Sequence, residues 1–208
     1  MSLSEYFIRE VDYSTGKMDI YQATIGDVGY VVWDAALVLS KFIDGSYCKS
    51  IFPLDGKNVI ELGAGTGIVG MVAATLGAFV KVTDLDELVP LMTKNITENK
   101  LQNIKACELT WDKELHFHEK FDYIFVADCI YYDKSLKPLV ETMNKLCTSS
   151  TIIFLSYEER HTEHKIKLQK DFFELASKYF NIEEIPASYQ DSVFRSDDIH
   201  IFKMTSLG

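Results

Sequence analysis

Hydrophobic and polar positions along the 208-residue chain change period repeatedly, and the changes predict an order of elements. Short apolar runs of strand length alternate with longer runs whose apolar positions recur at helical spacing. The pattern predicts strands over 6–13, 18–24, 58–62, 79–84, 104–110, 121–128, 151–157, 182–186 and 198–204. It predicts helices over 33–43, 68–76, 85–100, 135–146 and 163–179, and a loop over 44–56.

The order of these elements predicts the fold class. Strands and helices that alternate with short links form a mostly parallel sheet with helices on both faces. Seven strands follow residue 57, and the last two have no helix between them, which indicates an antiparallel edge strand. We therefore predict a single α/β domain over 1–208, with an N-terminal β-hairpin and helix extension at 1–56 and a Rossmann-like seven-stranded core at 57–208.

A glycine-rich turn, Glu61-Leu62-Gly63-Ala64-Gly65-Thr66-Gly67, follows the first core strand and opens a helix. Glycines there allow a tight turn and a close approach of backbone N–H groups to a ligand. Asp84 ends the next strand, where an acidic side chain accepts hydrogen bonds from ribose hydroxyls. A glycine turn needed only for packing does not explain this spacing, so the sequence predicts a nucleoside site.

Charge distinguishes between two nucleoside cofactors. Residues 65–70 also fit the GxGxxG dinucleotide fingerprint, but a pyrophosphate favours a neutral or positive cradle. Here Glu61, Asp84 and Asp86 lie near the turn. S-Adenosylmethionine has no phosphate and carries an ammonium and a sulfonium, both of which carboxylates attract. The acidic rim therefore favours the methyl donor over NAD.

A second polar group, Ala127-Asp128-Cys129-Ile130-Tyr131-Tyr132, follows the fourth core strand. Ligands of open α/β sheets bind beyond the carboxyl ends of strands, so we expect Asp128 in the same crevice as the glycine turn. A carboxylate beside aromatic rings holds a cationic or amine substrate. Alternatively, Asp128 caps the next turn and the tyrosines fill the core; for Tyr131 and Tyr132 both interpretations stay open.

Tryptophan and histidine add little on their own. Trp33 opens the first helix and Trp111 follows the third core strand, but tryptophan is more often a core residue than a ligand contact. The histidines are His116, His118, His161, His164 and His200. No cysteine pair or third ligand accompanies them, so we expect no metal site.

The composition of the chain limits which binding partners and which cellular compartment we expect. The 21 Lys+Arg against 31 Asp+Glu leave a formal charge of -10, which repels nucleic-acid backbones and attracts basic protein segments or cationic small molecules. The most apolar windows, 30–39 and 151–157, are too short to cross a bilayer. The first ten residues contain no apolar signal core, and the four cysteines form no CxxC pair. We expect a cytoplasmic protein, with the nucleus also compatible, that binds neither membranes nor nucleic acid.

Together these residues resemble the seven-β-strand protein lysine methyltransferases, a family of class I S-adenosylmethionine-dependent enzymes. The matching stretches lie between about residues 7 and 202 and are 29–36, 61–67, 82–85, 127–132, 157–160 and 195–201. Many methyltransferases share the glycine turn, whereas the Asp-x-x-Tyr run combined with Val-Val-Trp-Asp is far more specific. Cys129 and Ile130 stand where many enzymes that methylate glutamine or base amines have two prolines, which argues against a nucleic-acid substrate.

The resemblance implies transfer of methyl groups from S-adenosylmethionine to the ε-amine of a protein lysine. It implies that Asp128 and Tyr131 serve the target lysine. The cofactor contacts that it implies, with Glu61 added from the charge argument, are Trp33, Glu61, Gly63, Ala64, Gly65, Asp84, Trp111, Ala127 and Tyr132.

Within the family the resemblance is strongest to the branch that methylates valosin-containing protein, a hexameric AAA ATPase. We therefore expect that protein as the substrate, and a monomeric enzyme. Three alternatives stay open: a methyltransferase for small-molecule amines, a non-catalytic module that binds the methyl donor, and an NAD-dependent oxidoreductase, which the acidic turn disfavours.

Overall fold

A computed structural model describes residues 6–24, 28–113, 115–117 and 119–208. The strands are β1 (Tyr6–Tyr13), β2 (Gly16–Ala23), β3 (Asn58–Leu62), β4 (Phe79–Asp84), β5 (Ile104–Glu108), β6 (Tyr123–Ala127), β7 (Ile152–Glu158), β8 (Phe180–Glu184) and β9 (Ile199–Ser206). The helices are α1 (Asp34–Asp44), α2 (Ser46–Ile51), α3 (Ile68–Thr75), α4 (Val89–Glu98), α5 (Asp133–Leu146) and α6 (Glu163–Ala176). None of the helices in these ranges has the length and apolar character that a membrane span requires.

The strands after residue 57 form one sheet in the order β5-β4-β3-β6-β7-β9-β8. Neighbours from β5 to β7 pair in parallel, and β9 pairs antiparallel with both β7 and β8. The predicted seven-stranded, mostly parallel sheet with an antiparallel edge is thus confirmed. From β3 the chain runs outward through β4 and β5, then returns to the other side of β3 with β6. The crevice beyond the carboxyl ends of β3 and β6 is therefore the topological switch point where ligands of such sheets bind.

Two apolar clusters cover the two faces of the sheet. Successive side chains of a strand point to opposite faces, so Val59 packs in the cluster with α1, α3 and α4, and Ile60 packs in the cluster with α5 and α6. Because both faces are covered, the central strands are apolar at nearly every position. Helix α1 packs against α3 and β7, so this part of the N-terminal extension contributes to the core beside the site.

The β1–β2 hairpin forms a separate two-stranded sheet that α4 ties to the glycine turn. The amide of Asn95, which is fully buried, accepts from the backbone N–H of Tyr21 at 2.7 Å and donates to the carbonyls of Tyr21 and Thr66 at 3.1 and 3.0 Å. A buried polar side chain with its hydrogen bonds satisfied fixes one arrangement of its neighbours. Asn95 thereby holds the turn in register with the hairpin.

The predicted loop over 44–56 is wrong for its first half, which forms α2. Gly45 and Pro53 flank this short helix, Cys48 is buried, and the ring of Tyr47 stacks on Tyr189 at 4.0 Å. Six residues do not form a stable helix from local propensity alone. Packing against a residue distant in sequence stabilises it, and a local pattern does not report such packing.

Two other predicted bounds move at the site. The helix predicted from residue 85 begins as α4 at Val89, with Pro90 in its first turn, because Asp86–Leu88 form a separate 3₁₀ turn. The strand predicted to residue 128 ends at Ala127, because Asp128 has a left-handed backbone with φ of 53°. The remaining bounds differ from the predictions by a few residues.

Candidate active site

A pocket lies beyond the carboxyl ends of β3, β4 and β6. The glycine turn and the segment 28–33 line it. The predicted site residues that also line it are Trp33, Glu61, Gly63, Ala64, Gly65, Asp84, Ala127, Asp128 and Tyr131. The structure thus brings together most of the residues that the sequence singled out, from four separate elements.

The glycine turn makes a cradle that side chains would fill. Gly63 and Gly65 have φ of 62° and 55°, a left-handed backbone that glycine adopts without strain. A Cβ on Gly63 would stand 2.5 Å from the sulfur of Cys129, and one on Gly65 would stand 2.9 Å from the carbonyl oxygen of Gly29. Both positions therefore require glycine for conformation and for space.

Asp84 connects the turn to the end of β4. One of its carboxylate oxygens accepts from the N–H of Gly65 at 2.7 Å, and the other accepts from the N–H of Leu85 at 2.8 Å. Burial raises the pKa of Asp84, and these two hydrogen bonds act in the opposite direction. A carboxylate offers about four acceptor positions, so the side chain can brace the turn and still accept hydrogen bonds from ligand hydroxyls.

Glu61 is a buried carboxyl beneath the turn. Its side chain accepts from the N–H of Gly70 at 2.7 Å, and only 1% of the residue is exposed. Burial raises the pKa of Glu61 to about 8, against the effect of the hydrogen bond from Gly70. A cation bound in the pocket would favour the ionised carboxylate and so lower the pKa of Glu61.

The buried Glu61 gives a testable dependence of stability on pH. Between the ordinary pKa of a glutamate and about 8, the folded protein keeps the proton of Glu61 and the unfolded chain loses it. The free energy of unfolding should therefore fall as pH rises through this window and level off above it. Glu61→Gln keeps an acceptor for Gly70 and cannot ionise, so denaturant unfolding of this variant should show a smaller decline than wild type.

Glu108→Gln, at an exposed position at the end of β5, is the matched control for this measurement. It should follow the wild-type dependence on pH, because the substitution leaves the buried carboxyl of Glu61 in place. If Glu61→Gln also follows wild type, the pKa of Glu61 lies in the ordinary range and the burial argument is wrong.

Asp128 stands on the opposite wall in a strained conformation. Its φ of 53° is unusual for a non-glycine residue, and its N–H donates to the carbonyl of Ser156 at 2.8 Å. The carboxylate accepts from the N–H of Glu158 at 3.4 Å and from the guanidinium of Arg160 at 2.8 Å. Burial raises the pKa of Asp128, and the positive charge of Arg160 opposes that rise. Strained residues of this kind concentrate at functional sites, where the surroundings hold them.

Sequence reasoning assigned no role to Arg160, although it lies in one of the stretches that carried the resemblance. Its guanidinium also reaches the carboxylate of Glu158 at 3.4 Å and lies over the ring of Trp33, 5.1 Å from the ring centroid. The indole N–H of Trp33 donates to the carbonyl of Val28 at 2.8 Å. The sequence could have suggested this role, because charged residues that follow β7 lie beside Asp128 if β7 pairs in parallel with β6.

Trp111 and Tyr132 do not line this pocket. Trp111 is half-buried, and a Cβ on Gly63 would stand 3.0 Å from its ring. Tyr132 is 45% exposed, and its ring centroid lies 4.6 Å from that of Tyr131. The cofactor roles that the resemblance implies for Trp111 and Tyr132 stay predictions.

The described part of the chain offers no group of side chains that could bind a metal ion. There, no three His, Cys, Asp or Glu side chains come together as metal ligands would. His118 lies outside the described residues. His164 pairs with Asp133 and His200 pairs with Glu184, each at 2.8 Å, so these two histidines have carboxylate partners.

Known proteins share this architecture. A family model described as lysine methyltransferase matches residues 13–179. Protein N-lysine methyltransferase METTL21A of Xenopus tropicalis is 35% identical over 180 residues, which cover 85% of this chain and 77% of that protein. EEF1A lysine methyltransferase 3 of the same organism is 34% identical over 189 residues, which cover 89% and 78%.

Among solved structures, the Thermus thermophilus 16S rRNA N2 G1207 methyltransferase RsmC, in complex with AdoMet and guanosine, superposes with a TM-score of 0.67. The two sequences are 15% identical, and the match covers 97% of this chain and 50% of that one. At this identity the likeness shows a shared fold, and nothing about the substrate.

The pocket fits the methyl donor. Its glycine cradle would be filled by any Cβ, Asp84 supplies acceptors, a bound cation would favour the ionised form of Glu61, and no lysine or arginine is among its described lining residues. That lining suits an ammonium and a sulfonium and does not suit a pyrophosphate. By its sequence relatives and its fold, the chain belongs to the lysine methyltransferase family and is an S-adenosylmethionine-dependent protein lysine N-methyltransferase.

Proposed function

We propose that the enzyme methylates a lysine of valosin-containing protein, and that Asp128 and Tyr131 hold the acceptor amine. The observation that carries the site assignment is the position of Asp128, a buried carboxylate that lines the same pocket as the glycine turn. The similarity of residues 29–36, 127–132 and 157–160 to the branch that methylates valosin-containing protein supports the choice of substrate.

The donor side of the proposed site is formed by three groups. Gly63 and Gly65 leave room for the donor against the backbone, and Asp84 offers acceptors for its ribose hydroxyls. Trp33 also lines the pocket. When bound, S-adenosylmethionine supplies a sulfonium methyl group, which passes to the amine nitrogen while the S–CH₃ bond breaks and its electron pair stays on sulfur.

The acceptor side must present a neutral amine with its lone pair aimed at the methyl group. A carboxylate raises the pKa of a nearby lysine, and the sulfonium lowers it. We therefore assign Asp128 to orienting the amine, whose proton passes to water before transfer. Orientation alone supplies roughly 7–11 kcal/mol in well-aligned intramolecular reactions, so holding the amine can account for a large part of the acceleration.

A second acceptor deserves a direct test, because a relative of similar identity is named for lysine methylation of EEF1A. Radiolabelled methyl donor should be incubated with the enzyme and, separately, valosin-containing protein, EEF1A and free lysine. We expect label in valosin-containing protein, on a lysine that mass spectrometry locates. Label in EEF1A alone would move the proposal to that substrate, and label in free lysine alone would favour a small-molecule enzyme. The predicted cytoplasmic localisation and monomeric state stay predictions.

A further inference from the structure

Arg160 connects three segments on the side of the pocket where we place the acceptor lysine. It follows β7, pairs with Asp128 of the β6 end at 2.8 Å, and lies over the ring of Trp33 at the start of α1. The ion pair is partly withdrawn from water, since 9% of the Asp128 side chain and 29% of the Arg160 side chain are exposed. Salt and water screen a partly buried ion pair less than an exposed one, so the charge of Arg160 acts strongly on Asp128.

Methyl transfer needs a carboxylate that orients the amine without keeping that amine protonated, and the ion pair between Asp128 and Arg160 meets both requirements. An unpaired carboxylate beside the acceptor would stabilise the ammonium form of lysine, which has no lone pair and cannot accept a methyl group. A guanidinium stays charged at any pH at which the protein is folded, and it offers donors only. A carboxylate bonded to it keeps free lone pairs to orient an amine but presents little net charge.

We propose that Arg160 is a positioning residue, whose guanidinium holds and neutralises Asp128 where the acceptor lysine arrives, so that the lysine binds as a free amine. The proposal rests on the proposed role of Asp128. It assigns Arg160 no contact with the reacting atoms.

Other ionisable groups face Asp128 from the elements around it. They are Glu158 at the end of β7, Lys165 on α6, the neighbouring Cys129 and Tyr131, and Glu61 and Asp84 across the pocket. The amine of Lys165 donates to the carbonyl of Tyr131 at 2.7 Å, and its charge lowers the pKa of Asp128 less than the charge of Arg160 does. Burial raises the pKa of Cys129 and keeps the thiol neutral. Arg160 is the cation bonded to Asp128, and its loss should change the local charge most.

Kinetics of Arg160→Gln over a range of pH test the proposal. The ascending limb of kcat reports the ionisation of the enzyme–substrate complex, and it should move up by about 1 pH unit, since an opposite charge at this range shifts a pKa by about 1–3 units. At neutral pH kcat should fall about 10-fold, with KM unchanged or lower, because the unpaired carboxylate binds the ammonium form more tightly. Activity should return at alkaline pH.

Two further variants complete the comparison. Arg160→Lys keeps the positive charge, so the limb should return towards the wild-type position. Arg195→Gln removes the same charge from an exposed arginine that donates to the carbonyl of Ala187 at 3.0 Å, and it should leave the profile unchanged. A loss in Arg160→Gln that is equal at every pH would overturn the proposal and indicate a structural role. A gain at every pH would also overturn it and indicate that Arg160 blocks the acceptor site.

A readout without substrate separates this proposal from the choice of protein acceptor. In protein labelled with ¹³C at aspartate carboxyls, with the Asp128 signal assigned from Asp128→Asn, the pKa of Asp128 should rise in Arg160→Gln and stay near the wild-type value in Arg160→Lys. An unchanged pKa in Arg160→Gln would overturn the proposal. If wild type fails to label valosin-containing protein, the substrate proposal fails, and this titration still tests Arg160.

Discussion

Asp128→Ala should reduce methyl transfer by on the order of 100-fold or more while leaving the affinity for the methyl donor nearly unchanged. Misplacement of a reacting group by about 1 Å costs that much, and the variant removes the carboxylate that we assign to orienting the amine. The donor's polar contacts are expected at the glycine turn and Asp84, on the other side of the pocket. A group that acts mainly in the transition state lowers kcat more than donor binding. Single-turnover assays and calorimetry with S-adenosylhomocysteine measure the two quantities.

Asp128→Asn is the cleaner variant, because alanine in a left-handed backbone adds about 1–2 kcal/mol of strain that asparagine tolerates. It keeps one acceptor oxygen for the N–H of Glu158 and loses both the charge and the second oxygen that accepts from Arg160. We expect it to be nearly as inactive as Asp128→Ala, because a neutral amide no longer forms the ion pair with Arg160 that holds this side chain where the amine arrives. Asp133→Asn removes an exposed carboxylate from the start of α5 and should retain activity. Wild-type transfer by Asp128→Ala would refute the assigned role, and loss of donor binding would place Asp128 on the donor.

Asp84→Ala should weaken donor binding by about 1–3 kcal/mol, or roughly 5- to 150-fold. The variant loses the expected ribose contacts, and it also releases the backbone N–H of Gly65, which Asp84 now holds at 2.7 Å. The fold should survive, because the side chain faces the pocket at the end of β4 and is only partly buried. Calorimetric titration with S-adenosylmethionine and S-adenosylhomocysteine gives the change.

Asp86→Ala is the matched control for Asp84→Ala, since Asp86, which the sequence placed near the turn, is exposed and is not among the residues that line the pocket. Its donor affinity should stay near the wild-type value. Asp84→Asn should lie close to Asp84→Ala, because an amide offers one acceptor oxygen where two backbone N–H groups need one each. Unchanged donor affinity in Asp84→Ala would remove Asp84 from the donor site.

The parts of the site that could be predicted are those that depend on local sequence. Each parallel strand is a short apolar run, because both faces of the sheet are covered. The pattern of apolar residues therefore predicted where β3, β4 and β6 end. Polar residues at those ends, Asp84 and Asp128, had to meet at one edge of the sheet. The turn could be predicted from its glycines, because the backbone conformations of such a turn exclude other residues.

The parts that could not be predicted depend on contacts between segments distant in sequence. Tyr47 of α2 stacks on Tyr189, and the local sequence around either residue does not predict this contact. Trp111 follows a core strand as expected, yet it lies outside the pocket lining, because side-chain direction after a strand depends on the packing of the loop.

The amino-acid pattern was enough to predict an α/β methyltransferase with a glycine turn after β3 and an acidic residue at the end of both β4 and β6. It could not predict the electrostatic state of the pocket, which depends on the burial of Glu61 beneath the turn and on the position of Arg160 between Asp128 and Trp33. The charge state of a carboxyl depends on its burial and on the charges within a few ångströms. Folding sets both by bringing together residues that lie far apart along the chain.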